Sequence, residues 1–189
     1  MQEFRIVFPK QLTRSPYYMP STALRDEISN LRWALTEFAA RYGTYNEWQI
    51  ELQGTIYSFG IEYIDSCWDD IPAFLTNCGK HSETEVDILL TDSPSYLIVV
   101  ESRSVEELMV SIIDERSEPL FDFQHAPMDK SRLKRAIVNR QQFLQEWQSL
   151  VQSVIQILVA EKLVADDDES ITEYLADVMS VNAPNADNP

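Results

Sequence analysis

The pattern of apolar and polar positions predicts short strands interleaved with amphipathic helices. A first strand is expected at 4–8, where Pro9 ends it. A helical stripe with spacings of three and four follows: Leu24, Ile28, Leu31, Leu35, Phe38 and Tyr42. We predict that this helix is capped at Ser21 or Thr22 and ends at Gly43. Apolar and polar residues then alternate over 47–53 and 55–63, which predicts a hairpin, or one strand with a bulge at Gly54.

The middle of the chain continues this alternation of helix and strand. A short helix is predicted at 65–79, and two strands are predicted at 83–90 and 96–101. The segment 104–114 fits a helix with a capping box as well as a strand. We favour the strand, in a hairpin that turns at 116–119.

The longest helical repeat lies between Asp129 and Val164. Its apolar positions recur every three or four residues: Phe143, Leu144, Trp147, Leu150, Val151, Val154, Ile155 and Leu158. The segment is either one helix of roughly 50 Å or two pieces that divide at Asn139, whose spacing to Gln142 fits a capping box.

These elements predict an α+β fold. We expect an antiparallel sheet with one face covered by the N-terminal helix and the long C-terminal helix. Residues 1–164 would form a single domain, 165–180 an acidic linker and a short amphipathic helix, and 181–189 a frayed tail.

Charge changes this picture more than any motif does. The 189 residues carry 31 acids and 15 bases, a net charge of −16. Between Tyr42 and Ser102, eleven acids accompany one base, Lys80. The densest basic run lies at the start of the long helical segment: Lys130, Arg132, Lys134, Arg135 and Arg140. A field of this overall sign repels nucleic acid and anionic membranes and accelerates encounter with a basic protein, although acidity can also serve solubility alone.

The strand pattern suggests where the acids gather. If the strands near 47–53, 55–63 and 83–90 share one antiparallel sheet, its polar face collects six carboxylates: Glu47, Glu51, Glu62, Glu83, Glu85 and Asp87. Like charges so close destabilise a fold, so such a face is a candidate for binding a basic partner, with a solvated face as the alternative. Secondary candidates stand on the neighbouring helices: Asp65, Asp69, Asp70 and Trp33.

Catalytic and metal-binding motifs do not stand out. His81 and His125 lack ligand spacing, Cys67 lacks a basic neighbour, and four glycines form no phosphate loop. We therefore predict a protein that is not an enzyme and needs no metal or cofactor. Without a secretory segment or a membrane span, and with Cys67 and Cys78 reduced, the expected location is the cytoplasm.

The order of these elements, together with the acidity, resembles the small acidic immunity proteins of bacterial toxin systems over most of residues 1–164. The resemblance implies a cytoplasmic protein that binds and blocks a toxin domain, often a basic nuclease. One alternative is an adaptor that forms a homodimer through Phe143, Leu150 and Ile157 of the long helix. Another is a metal-dependent hydrolase that uses Asp65, Asp69 and Asp70.

Overall fold

The computed structural model describes residues 3–19, 30–81, 85–92, 95–114 and 134–182. The fold is α+β, with antiparallel sheets and packed helices, as the sequence predicts. The strands are β1 (Phe4–Val7), β2 (Glu47–Leu52), β3 (Thr55–Gly60), β4 (Val86–Asp92), β5 (Ser95–Ser102), β6 (Glu107–Asp114) and β7 (Lys134–Asn139). The helices are α1 (Asn30–Tyr42), α2 (Glu62–Cys67), α3 (Ile71–Gly79), α4 (Arg140–Ala160) and α5 (Glu169–Met179).

The first sheet has the order β1-β2-β3. Its β2–β3 connection is a two-residue turn in which both Gln53 and Gly54 have positive φ, 53° and 72°. Positive φ at both central residues is the geometry that matches the twist of a hairpin. The predicted hairpin is therefore confirmed, and the alternative of one bulged strand is wrong.

The second sheet has the order β4-β5-β6-β7, and it contains the ambiguous segment 104–114 as strand β6. The strand assignment is confirmed, whereas the turn predicted at 116–119 lies outside the described residues. The single shared sheet predicted for 47–53, 55–63 and 83–90 is wrong, because β4 pairs with β5 and not with β3. Alternation in a sequence identifies a strand, but it does not identify the strand's neighbours.

Of the two alternatives for the segment between Asp129 and Val164, the continuous helix is wrong and the division at Asn139 is confirmed, because the chain changes from strand to helix there. Before this point Ala136 and Val138 are buried in β7 with the period of a strand. At Asn139 the side-chain Oδ1 accepts a hydrogen bond of 2.9 Å from the backbone N–H of Gln142. The predicted cap is thus confirmed as the start of α4, and the part of the basic run that the structure describes lies mostly in a strand.

Helix α4 closes the free edge of β1 with two polar side chains one turn apart. The Gln142 side chain donates a hydrogen bond of 3.1 Å to the carbonyl oxygen of Phe4. The backbone N–H of Ile6 donates one of 2.8 Å to Glu146 Oε2. Edge strands leave such groups unpaired, so these side chains take the place of a fourth strand.

The side chain of Arg140, the first residue of α4, is fully buried. Its Nη1 donates to the carbonyl oxygens of Cys78 (2.5 Å) and Lys80 (2.7 Å) at the end of α3. Its Nη2 donates to Ser102 Oγ (2.5 Å) and to the carbonyl oxygen of Ser104 (2.6 Å). One guanidinium therefore joins α3, the end of β5 and the loop before β6 to the start of α4.

The predicted boundary after Val164 does not separate the last helix from the core. Ile171 and Val178 of α5 belong to the same buried cluster as the rest of the core. The Gln148 side chain of α4 donates to the carbonyl oxygens of Val178 and Val181, at 3.0 and 2.9 Å. Val181 is consequently packed and not frayed, because its side chain has a place against α3; residues 183–189 lie outside the described part.

Replacing Arg140 tests the buried guanidinium. In Arg140→Met, three carbonyl oxygens and the Ser102 hydroxyl lose their donor inside the protein, so we expect a loss of roughly 3 kcal/mol in the free energy of unfolding. Urea unfolding followed by tryptophan fluorescence measures it. The matched control is Arg103→Met, which removes a largely exposed ion pair with Glu101 and should cost less than about 1 kcal/mol. Equal stability of both variants would contradict this role.

Replacing Gly79 tests the packing of the C-terminal segment on α3. A Cβ at this position would lie 2.8 Å from Val181 Cγ1 and 3.2 Å from the Asn182 carbonyl oxygen. We expect Gly79→Ala to cost about 1–3 kcal/mol through overpacking. Removing the closest contact in the double variant Gly79→Ala/Val181→Ala should cost less than the sum of the two single changes, as measured by urea unfolding. Simple additivity would show that the two residues do not compete for space.

Candidate partner-binding surface

The six carboxylates predicted to form one acidic face are divided between different elements. Glu47 and Glu51 lie on β2 in the first sheet, whereas Asp87 lies on β4 in the second and Glu85 directly precedes it. Glu83 lies outside the described residues. The predicted face is therefore not the polar face of one sheet, because the strands that carry these acids belong to two sheets.

The polar face of the first sheet is mixed in charge. The register of β1 and β2 places Arg5 directly opposite Glu51, an arrangement that stabilises a cross-strand pair. Glu47 is opposite Gly60, and Gln49 donates a hydrogen bond to Ser58 Oγ. Arg5 is far from Glu51 along the chain, so local alternation could not reveal this neutralising neighbour.

Glu62 is not a strand residue, because β3 ends at Gly60 and Glu62 begins α2. An acid in the first turn is favourable there, since the amino end of a helix carries partial positive charge. Its side chain lies over Gly43 and Gly60, where an added Cβ would overlap it. The absence of side chains at these two glycines gives Glu62 its room.

The secondary candidates Asp65 and Asp69 are tied to α1 by one arginine. Arg32 Nη1 lies 3.0 Å from Asp65 Oδ1 and 3.5 Å from Asp69 Oδ2. Burial raises the pKa of the Asp65 carboxyl, and the Arg32 guanidinium opposes that shift. The Arg32 guanidinium therefore occupies the position beside Asp65 and Asp69 where the hydrolase hypothesis would place a metal ion. Across the described ranges, no group of three or more His, Cys, Asp or Glu side chains could hold a metal ion.

Trp33 and the long helix offer less free apolar surface than the sequence suggests. Trp33 is half-buried and packs against the core. Phe143 and Leu150, on which the homodimer hypothesis rests, are buried in the chain's own core, and Ile157 is half-buried against it.

The structure does assemble exposed acids elsewhere, on α5 and the turn before it. From Leu163 to Asn182 there are six acids and no base. Five of these acids are exposed, and among the described residues none of the five forms an ion pair: Asp166, Asp167, Glu169, Glu173 and Asp177. The sixth, Asp168, caps the helix by accepting from the backbone N–H of Ser170.

Asp69 and Asp70 extend this surface from the side of α2. The ring of Tyr174 on α5 stacks on Trp68, with centroids 4.8 Å apart and planes 11° from parallel, and its hydroxyl donates to the Trp68 carbonyl oxygen at 2.6 Å. Burial raises the pKa of Tyr174, and the nearby Asp69 and Asp70 carboxylates raise it further. We call the combined set the acidic ridge: Asp69, Asp70, Asp166, Asp167, Glu169, Glu173 and Asp177.

The sequence predicts an acidic linker and a short amphipathic helix over 165–180, and α5 confirms the helix, but no binding surface was predicted there. The signal that could have identified the surface was the spacing of Glu169, Glu173 and Asp177, which recur every four residues and so share one helix face. The opposite face, with Ile171 and Val178, is buried.

The two cysteine thiols are poorly placed to act as nucleophiles. Cys67 and Cys78 are free but buried, and burial raises the pKa of each thiol to about 12, so both remain protonated at neutral pH. His81 Nδ1 lies 2.9 Å from Ser102 Oγ, and His125 lies outside the described residues. In the described part of the chain, no helix is long and apolar enough to span a membrane.

The cap at Asp168 predicts a pH-dependent contribution to stability. Hydrogen bonds from Ser170 and Asn30 lower the pKa of the Asp168 carboxyl. The stabilisation is therefore complete above the unfolded pKa of about 3.9 and is lost as the pH falls through the lower folded value. Near neutral pH, Asp168→Ala should cost about 1 kcal/mol, the usual value of an N-cap.

Urea unfolding at neutral pH and at about pH 3 measures this effect. The deficit of Asp168→Ala relative to the unsubstituted protein should shrink in acid. Asp168→Asn is the matched control, because its amide oxygen can still cap the helix and does not titrate. A deficit of Asp168→Ala that stays constant from neutral pH to acid would show that the carboxylate charge has no part in the cap.

Comparison with known proteins returns no relative: no family model matches the chain, and no curated protein or solved structure matches it either.

Proposed function

We propose that this protein binds a basic protein partner through the acidic ridge and inhibits it, most concretely as an immunity protein that blocks a bacterial toxin domain. The observation that carries the proposal is a helix face of exposed carboxylates that form no ion pair with any other described residue, on a chain of net charge −16. Such a surface attracts a positively charged protein over distance and repels nucleic acid. A nuclease domain is a suitable target, since nucleases need basic surfaces to hold their own substrate.

Rigidity of the ridge supports binding rather than solubility as its role. Helix α5 is held by Ile171 and Val178 in the core, by the stacking of Tyr174 on Trp68, and by the hydrogen bonds of Gln148. Carboxylates on a fixed helix lose little conformational entropy when a partner docks, so more of the interaction energy appears as affinity. Acids that serve solubility alone do not require such a scaffold.

In this role the protein binds its partner without catalysing a reaction and acts in the cytoplasm. This is supported by the two described thiols, which are protonated and buried, and by Arg32, whose guanidinium lies against both the Asp65 and the Asp69 carboxylate. Free Cys67 and Cys78 fit a reducing compartment, where disulfides are rare. Glu85 and Asp87 of the predicted face are exposed and remain a second candidate contact.

The first experiment identifies the partner by low-salt capture and tests the product of the adjacent reading frame directly, since immunity proteins are encoded beside their toxins. We expect that purified protein to be basic, to bind in a salt-sensitive manner, and to lose its toxic activity when bound. If neither capture nor the adjacent product yields a basic binding protein, the proposed function is wrong.

The second experiment separates the ridge from net charge. The triple variant Glu169→Lys/Glu173→Lys/Asp177→Lys should weaken binding at least about 100-fold, or roughly 3 kcal/mol, because close charge pairs at interfaces couple strongly. Calorimetry at two salt concentrations measures the affinity.

The matched control for that triple variant has the same change in total charge at three exposed positions elsewhere: Glu3→Lys/Glu47→Lys/Glu106→Lys. It should lose less than about tenfold in affinity, through weaker long-range attraction alone. Unfolding curves verify that both triple variants fold. Equal losses from the two variants would show that net charge, and not the ridge, determines binding.

A further inference from the structure

We draw no further inference here: the strongest candidate, the outer face of the second sheet, on which Leu89, Met109 and Ile137 lie among charged side chains, supports none, because nothing in the described part of the structure shows what covers it.

Discussion

The buried guanidinium of Arg140 is the interaction on which most of the architecture depends. Removing a charge from water is costly, and desolvation lowers the pKa of this arginine. The cost is offset by three carbonyl oxygens and a hydroxyl, including the Cys78 and Lys80 carbonyls at the carboxyl end of α3, where the helix dipole is negative. The acceptors lie at 78–80 and 102–104, so the guanidinium holds these two segments against the start of α4.

The same junction determines where the acidic ridge lies. Arg140 fixes the end of α3 against the start of α4. Gly79, at the end of α3, leaves room for Val181. The Gln148 side chain of α4 donates to the carbonyl oxygens of Val178 and Val181 at the end of α5. Helix α5 is thereby fixed against α3 and α4 with Ile171 and Val178 inward, so the carboxylates on its opposite face point to solvent. The ridge is a surface property that follows from buried contacts.

Local patterns in the sequence predicted much of this fold, whereas contacts between distant segments could not be predicted from it. The hairpin at Gly54, strand β6 and the cap at Asn139 each depend on residues within a few positions, so periodicity and turn chemistry reveal them. Strand β7 was missed because its short alternation continues into a longer helical repeat. The sheet assignment, the burial of Arg140 and the pairing of Arg5 with Glu51 depend on contacts between distant segments, which one sequence does not reveal.

The closure of β1 by α4 has a consequence for how the chain folds. The groups that satisfy the edge of β1 lie 138 and 140 residues further along, at Gln142 and Glu146. Contacts between segments so distant in sequence form slowly, because the entropic cost of closing the long intervening loop precedes the stabilisation that the contact provides. During synthesis the N-terminal strand therefore leaves the ribosome long before its partner helix exists. Until α4 forms, the edge of β1 is open to pairing with strands of other chains, which is a risk of aggregation. The hydrogen bonds from Gln142 and Glu146 of α4 close this edge and remove the risk.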